Sequence, residues 1–159
     1  MEKREIKSRI GQFVIEEEKI LRFPRGLIGF ESAREFTLLQ VKPNSPFLLL
    51  QNIENPKLGL IVADPYTFLA NYSVVIGKSE EKILRLQSVY DLTVLVTVTI
   101  PPGEPEKTTL NLAGPILINT KARLGLQVPQ VELTGASRVV LADLQKANSE
   151  KQLVGRSGG

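Results

Sequence analysis

The segment from Leu92 to Ile100 constrains the fold of this chain most, because its apolar residues recur at every second position. Successive side chains of a β-strand point to opposite faces, so one face of this segment is wholly apolar and the other is mixed. The two sets are Leu92, Val94, Val96, Val98 and Ile100 against Thr93, Leu95, Thr97 and Thr99. Most of these residues are β-branched, which favours a pleated sheet over a helix. We therefore predict a central strand whose even-numbered face is scaffold.

Many other short apolar runs, separated by Gly, Pro, Asn and Ser, predict further strands. They cover residues 5–10, 12–15, 20–23, 36–41, 47–51, 58–63, 74–76, 108–112, 115–120 and 124–128. One helix is expected over Ser79–Gln87, with Ser79 as its N-cap, Glu80 and Glu81 in its first turn, and Ile83 and Leu86 facing inward. Little βα alternation is present. The pattern predicts an all-β fold, mainly an antiparallel β-barrel-like structure or sandwich, with one or two short helices.

With 159 residues the chain is long enough for one domain with its own core. We place that β domain at residues 1–136, a possible C-terminal helix at 137–148 and a disordered tail at 149–159. The helix is suggested by the spacing of Val140, Leu144 and Ala147. No apolar window predicts a membrane span or a signal peptide, and the chain has no cysteine, so a cytoplasmic location is expected.

The composition removes several kinds of chemistry. Histidine and cysteine are both absent, so Ser-His-Asp and Cys-His nucleophile systems are impossible and the commonest metal ligands are missing. Ser79 and Lys82 have the Ser-x-x-Lys spacing of some acylating enzymes, but the partner motifs of that class are absent. The carboxylates of Glu54, Asp64 and Asp91 have no spacing that brings them together. We predict neither catalytic residues, nor a metal site, nor a cofactor.

The charge pattern argues against direct nucleic-acid binding. The net charge is +3, from 20 basic and 17 acidic residues that are spread along the chain. Nucleic-acid proteins usually concentrate Lys and Arg on one face. An RNA-binding barrel, whose binding would fall steeply with salt, is therefore only a third candidate class.

The connection after the predicted strand at 58–63 is unusually aromatic, with Tyr66, Phe68 and Tyr72. One interpretation is a lid over one end of a barrel. The other is an anchor for a protein partner, since aromatic residues dominate the energetics of interfaces. Another apolar connection, Phe23 to Glu31, contains Pro24, Gly26 and Gly29 and is predicted to pack into the core.

Several of these stretches together resemble a known family, the flagellar assembly factor FliW. The resemblance spans about residues 5–136. The stretches that carry it are Phe23-Pro24-Arg25-Gly26-Leu27-Ile28-Gly29-Phe30-Glu31, Ser45-Pro46-Phe47, Leu50-Gln51, Leu60-Ile61-Val62-Ala63-Asp64-Pro65 with the aromatic segment to Tyr72, Asn111-Leu112-Ala113-Gly114-Pro115-Ile116-Leu117-Ile118-Asn119, and Gly125-Leu126-Gln127.

The resemblance implies a cytoplasmic, non-catalytic β-barrel-like protein that binds CsrA, a dimeric RNA-binding repressor of translation, and also binds flagellin. FliW binding keeps CsrA off the flagellin transcript, and new flagellin captures FliW and releases CsrA. The residues expected to bind these partners are Asp64, Tyr66, Phe68, Asn71 and Tyr72, with Glu80 and Glu81 as peripheral charge. FliW proteins are usually acidic, whereas this chain is net positive, so attraction to a basic partner would depend on local acidic patches.

The competing class is an enzyme, a flavin-binding split-barrel oxidoreductase, because small β-barrels with one helix also host flavin sites. No cluster of Arg, Ser and Thr that would bind a flavin phosphate stands out in the sequence.

Overall fold

Ten β-strands dominate the computed structural model of this chain, which describes residues 2–131 and 137–146. The strands are β1 Lys3–Ser8, β2 Gly11–Glu16, β3 Leu21–Arg22, β4 Glu35–Gln40, β5 Phe47–Asn52, β6 Gly59–Ala63, β7 Leu92–Thr99, β8 Thr109–Asn119, β9 Leu124–Gln127 and β10 Arg138–Val140. Helix α1 spans Lys78–Ile83, and residues 141–146 form a second short helix, α2. The all-β fold with short helices that the sequence predicts is confirmed.

Eight of the strands form one sheet in the order β10-β8-β7-β6-β5-β4-β3-β9. The sheet closes because β9 also pairs with β8, so that the strands from β8 round to β9 make a barrel. All the pairings in this sheet are antiparallel except the single bridge between Arg22 of β3 and Leu124 of β9. Closure leaves few free strand edges, which are otherwise templates for aggregation.

The long strand β8 makes this closure possible. Its first half pairs with β10 and its second half with β9, along the same edge. The change of partner falls at Ala113-Gly114-Pro115, where Pro115 has no N–H to donate. The sequence predicted two strands here, at 108–112 and 115–120, and that division is wrong. The apolar pattern breaks at Gly and Pro because the strand changes neighbour, although it continues through them.

Strand β7 forms as predicted, and its two faces are those that the alternation assigns. The even-numbered residues Leu92, Val94, Val96 and Val98 pack in clusters on the outer side, and Leu95 belongs to the barrel interior. The register with β8 shifts between Leu95 and Thr97, because these two positions of β7 pair with Ile116 and Asn111, which are five positions apart. The extra residues of this bulge therefore lie in β8, where the strand changes partner. Ile100 lies beyond β7 and is partly exposed.

The barrel interior is filled by one apolar cluster to which strands all round the sheet contribute. Its members are Leu21, Phe23, Leu27, Phe36, Leu50, Val62, Leu95, Ile116 and Ile118. The rings of Phe23 and Phe36 meet edge to face with centroids 5.1 Å apart. Each fully buried ring contributes about 1.5–3 kcal/mol, and the pair about 1 kcal/mol more. Phe23 also lies against Gly125, where an added Cβ would come within 2.4 Å of the ring.

The outer wall of the barrel is apolar as well, because neighbours of the interior residues point outward into three further clusters. Leu39 and Leu49 pack beneath the β1–β2 hairpin with Ile6 and Ile15. Ala63 and Val96 belong to a second outer cluster, and Leu117 and Leu126 to a third. The hairpin covers the first outer cluster, and the connection between β6 and β7, which carries the candidate site, packs on the other two.

The β1–β2 hairpin is a separate two-stranded sheet docked on the barrel. Its turn is anchored by Arg9, whose backbone N–H donates to Gln51 Oε1 over 3.1 Å and whose Nη1 donates to the Gly59 carbonyl over 2.7 Å. Gln51 is fully buried, and its Nε2 lies 3.0–3.3 Å from four carbonyl oxygens of residues 52–58. One amide thus holds the β5–β6 turn and the hairpin together.

The connection after β3 is only partly in the core. Phe23 and Leu27 are buried, as predicted, but Ile28 and Phe30 are exposed at the tip of a tight turn closed by two hydrogen bonds between Leu27 and Phe30. Gly26 adopts a positive φ of 63°, and a Cβ there would lie 2.5 Å from two carbonyl oxygens. Glycine therefore allows this turn to close.

The C-terminal region differs from the helix predicted over 137–148. Residues Arg138–Val140 form β10 instead, and the helical residues are 141–146. Val140 and Leu144 therefore belong to different elements. The last two residues of the predicted helix, at 147–148, and the predicted tail at 149–159 lie outside the described residues. Among the residues that are described, no helix has the length and apolar character needed to cross a bilayer.

Candidate partner-binding surface

The connection from Asp64 to Gly77 covers the outer wall and carries five of the predicted site residues. It leaves β6 through a single 3-10 turn, Pro65–Thr67. Asp64 caps this turn, with its Oδ1 accepting the Tyr66 N–H over 2.8 Å, and Pro65 occupies the first helical position. Both are favoured at a helix start, because the cap satisfies a free N–H and proline needs none. The turn fixes the backbone from which Tyr66 projects.

Tyr66 and Tyr72 form a pair on this surface, with ring centroids 6.0 Å apart and planes inclined by 43°. Tyr72 is half-buried and donates its hydroxyl to the Leu112 carbonyl over 2.7 Å, which ties the connection to β8. Tyr66 is 46% exposed. The inner tyrosine is thus fixed to the barrel and supports the outer one. A rigid, half-exposed aromatic ring is what interface anchors require.

Burial raises the pKa of the Tyr72 hydroxyl to about 12, with a smaller contribution from Tyr66. The pKa of Tyr66 is also raised, first by burial and then by the negative charge of Asp64. Both rings therefore stay neutral at physiological pH, as hydrogen-bond donors.

The two other predicted site residues of this connection, Phe68 and Asn71, differ in their exposure to solvent. Phe68 is half-buried and packs with Leu69 and Tyr72 against the second outer cluster. Asn71 is exposed. Phe68 therefore contributes to holding the surface, and Asn71 is available to a partner. Their role in binding remains a prediction.

Residues 74–76, predicted as a strand, are not one. Val75 is instead held by a side chain, because Gln130 Oε1 accepts the Val75 N–H over 2.8 Å and Gln130 Nε2 donates to the Val75 carbonyl over 3.1 Å. A primary amide offers the same donor and acceptor as a peptide group, so it can replace a neighbouring strand. Val74 and Ile76 pack on the third outer cluster, and Val75 is 68% exposed.

Helix α1 carries Glu80 and Glu81, and it differs from the prediction in its ends and its cap. It starts after Gly77, which makes no side-chain cap bond, and it ends at Ile83. Ser79 does not cap it but donates its hydroxyl to Glu80 Oε2 over 2.9 Å. Hydrogen bonds from the backbone N–H of Glu80 itself and from Ser79 lower the pKa of the Glu80 carboxyl, so it is charged at neutral pH.

The residue that anchors α1 to the barrel is Leu84, which is fully buried just after the helix, whereas Ile83 and Leu86 are half-buried. The structure therefore brings Asp64, Tyr66 and Tyr72 into direct contact, on the second outer cluster. Glu80 and Glu81 lie on α1, whose flanking residues pack on the third outer cluster.

Two apolar residues near this surface, Ile28 and Val75, are exposed, and their exposure could not be predicted from the sequence. Ile28 and Val75 are 59% and 68% exposed, and each backbone N–H is bound by a glutamine side chain, from Gln127 and Gln130 respectively. Gln127 Nε2 also donates to the Gly114 carbonyl, and the Gln130 N–H donates to the Ala113 carbonyl. The two apolar residues are thus brought to the same stretch of β8. These pairings join residues 99 and 55 positions apart, and no local pattern records them.

The carboxylates considered for catalysis remain apart. Asp64 caps a turn, and the Asp91 carbonyl, beside the β8–β9 turn, accepts hydrogen bonds from Thr120. Glu54 lines a groove between residues 29–33 and the β5–β6 turn. Within residues 2–131 and 137–146, no group of three or more Asp or Glu side chains is placed to hold a metal ion.

These features together define a class: a small closed β-barrel whose outer wall is covered by an aromatic connection and a short helix. The family model described as FliW protein matches residues 5–138, so the chain belongs to the FliW family. It is a family of flagellar assembly factors, and the resemblance seen in the sequence is confirmed.

Individual relatives agree. The chain is 56% identical to the flagellar assembly factor FliW of Nitratidesulfovibrio vulgaris strain DP4, over 80% of this chain and 74% of that protein. It is 45% identical to the protein of the same name from Desulfovibrio desulfuricans, over 93% and 90%. A crystal structure of the flagellar assembly factor FliW superposes with a TM-score of 0.81 at 29% identity, covering 87% of this chain and 96% of that one.

Proposed function

We propose that this protein binds CsrA and flagellin alternately in the cytoplasm and thereby couples flagellin translation to flagellin export. It acts by binding rather than by catalysis. While it holds CsrA, that repressor is kept from the flagellin transcript. When free flagellin accumulates, it captures the protein and CsrA is released. Occupancy of the two complexes then follows from concentrations and affinities by mass action.

Besides membership of the family, one structural feature supports the proposal: the pair of Tyr66 and Tyr72, in which the inner ring is hydrogen-bonded to the barrel. Tyr66 is half-exposed, and its support by Tyr72 and Asp64 is in place before any partner arrives. A preorganised anchor loses little conformational entropy on binding. Asn71 would supply a polar contact, and Phe68 packs beside the pair.

Charge supports a role for α1 in binding a basic partner. The chain is net positive, so long-range steering by overall charge would be weak or adverse for CsrA. Glu80 and Glu81 supply two negative charges between Lys78 and Lys82, and the lowered pKa of Glu80 keeps its carboxyl ionised at neutral pH. We infer that these glutamates mainly affect the association rate, as rim charges do.

The test is titration of the purified full chain against purified CsrA and purified flagellin at low salt, followed by competition between them. Tyr66→Ala should weaken binding about 30-fold if the ring is an anchor worth about 2 kcal/mol. Glu80→Gln with Glu81→Gln should slow association with CsrA and reduce its salt dependence. Val14→Ala is the control, because that side chain is 67% exposed on the β1–β2 hairpin, in another part of the fold.

The possible outcomes separate the partners from the surface. Absence of binding to both proteins at micromolar concentration would remove the proposed function. Normal binding by Tyr66→Ala and by the double glutamine variant would keep the partners but reject this surface. Binding of both partners at once, without displacement, would reject the alternating mechanism.

A further inference from the structure

A second surface, at the end of the barrel beside the β8–β9 turn, combines basic and apolar side chains that the proposed function does not use. We call it the basic end, and its residues are Arg22, Arg85, Lys121 and Arg123 with Val89 and Tyr90. All six are exposed, Val89 by 73% and Tyr90 by 95%.

Hydrogen bonds centred on Asn119 hold the segments that carry these residues close together. Asn119 is buried, and its Nδ2 donates to the carbonyls of Leu84 and Arg85 over 2.8 and 3.2 Å. Its Oδ1 accepts the N–H groups of Lys121 and Ala122. The backbone of Arg22 donates to the Arg123 carbonyl over 2.9 Å, and Thr120 donates to the Asp91 carbonyl, which follows Tyr90. The fold therefore places the basic end as one rigid unit.

Two of the arginines have backbone conformations that are rare for residues other than glycine and asparagine. Arg85 has a φ of 51° and Arg123 a φ of 58°, in the left-handed region that glycine and asparagine prefer. Arg85 follows α1, with its N–H donating to the Lys82 carbonyl and the Leu86 N–H donating to the Glu81 carbonyl. This is the Schellman motif, whose left-handed position is usually glycine. Lys82 already places a positive charge in the last turn, so helix stability does not require Arg85.

The four basic residues of the basic end form no salt bridge in the described part of the chain. The ion pairs found there join Arg4 to Glu17 and Lys107 to Glu104. Carboxylates are nearby, since Glu35 is the cross-strand neighbour of Arg22 and Asp91 follows Tyr90. Arg123 Nη1 lies 3.5 Å from the Glu17 carbonyl, at the limit of a hydrogen bond. Exposed arginines without a salt bridge, beside exposed apolar side chains, match the composition of protein interfaces.

We propose that the basic end binds an acidic segment of a partner protein, with carboxylates on the arginines and an apolar side chain against Val89 and Tyr90. Charge complementarity makes this partner different in kind from a basic RNA-binding protein. The aliphatic Val89 favours a polypeptide, because it offers no face on which a base can stack. The Tyr90 ring does offer such a face, so single-stranded RNA is the competing ligand in the test.

The test uses the full chain and a fluorescent poly-glutamate peptide with a central leucine, followed by anisotropy at low and high salt. Arg85→Gly with Arg123→Gly removes two charges while relaxing both backbones, so thermal stability should be unchanged or higher. We expect this variant to bind about tenfold more weakly, since two exposed charge contacts together contribute roughly that factor. Tyr90→Ala should also weaken binding. Lys42→Ala with Lys57→Ala, which removes two charges elsewhere, should bind as the unmodified chain does.

Three results would overturn the proposal: no peptide binding at millimolar concentration, equal losses in the lysine and arginine variants, or tighter binding of poly-uridine RNA that the arginine substitutions abolish. A lower stability of the glycine pair would show that the two arginines also support the fold. In that event the asparagine pair, Arg85→Asn with Arg123→Asn, still measures the binding, because asparagine tolerates the same conformation.

Discussion

At the scale of single residues, buried amides hold this molecule together where the sheet alone does not. Gln51, Asn52 and Asn119 are buried, and each bonds backbone groups of its own turn and of a distant segment. Sequence reasoning predicts strands from apolar periodicity, so it misses these residues, which stand inside or at the end of strands without breaking the pattern. In the described residues every buried side-chain polar atom has a hydrogen-bond partner. Their loss should be costly for that reason.

Gln51→Leu tests this dependence. The substitution keeps a similar size but leaves the Arg9 N–H without its acceptor and the carbonyls of the β5–β6 turn without their shared donor. We expect the free energy of unfolding to fall by about 3 kcal/mol, measured by urea denaturation. The matched control is Gln40→Leu, at an exposed strand position, which should change stability by about 0.5 kcal/mol or less. Equal effects of the two variants would contradict the role given to Gln51.

Tyr72 should make the stability depend on alkaline pH. Its pKa is about 12 in the folded protein against an ordinary 10.0, so the folded state holds the proton more tightly. The resulting stabilisation is complete below pH 10 and is lost as the pH rises towards 12. Tyr72→Phe loses the bond to the Leu112 carbonyl and should be about 1 kcal/mol less stable at neutral pH.

The difference between Tyr72→Phe and the unmodified protein should shrink on going up through that alkaline range, as measured by chemical denaturation at each pH. Other groups titrate in both proteins, so the difference isolates Tyr72. A constant difference at all pH values would show that the tyrosine proton is not linked to folding.

At the scale of elements, the sequence predicts the positions of the strands well, but it does not predict which segments pair with one another. Nine of the ten strands overlap predicted ones, and β10 does not, because its three residues carry too little pattern. The predicted strand at 74–76 fails for the opposite reason. Its apolar residues do cover the barrel, but its backbone partner is the side chain of Gln130 rather than a strand.

Gln130→Ala should therefore loosen this segment without unfolding the barrel. The Val75 amide loses its acceptor, and its hydrogen exchange should accelerate by up to about tenfold, the equivalent of one hydrogen bond. Gln127→Ala provides a matched comparison, because it removes the acceptor of the Ile28 amide instead. Each variant should affect its own amide in exchange measured residue by residue. Acceleration of both amides by either variant would mean that the two segments open together.

At the scale of the whole molecule, the closed barrel was predictable as a class but its layered core was not. Alternation predicted apolar faces, and the structure puts apolar residues on both sides of the wall, in one interior and three outer clusters. The candidate site follows from this arrangement, since the connection between β6 and β7, which covers two of the outer clusters, is also the surface that we propose binds partners. The sequence identified the aromatic connection by composition. It could not reveal which ring is inside, because that depends on the contact between Tyr72 and β8.

The layered core also predicts an order of stability. The β1–β2 hairpin is a separate sheet held by one outer cluster and the contacts of Arg9, so it should open before the barrel does. Ile6→Ala should lower hydrogen-exchange protection in residues 3–16 and leave the barrel strands protected. Leu50→Ala, in the interior, should lower protection everywhere, by about 2–5 kcal/mol. Uniform loss of protection in both variants would instead mean that the hairpin and the barrel unfold as one cooperative unit, and that the outer clusters are as essential as the interior.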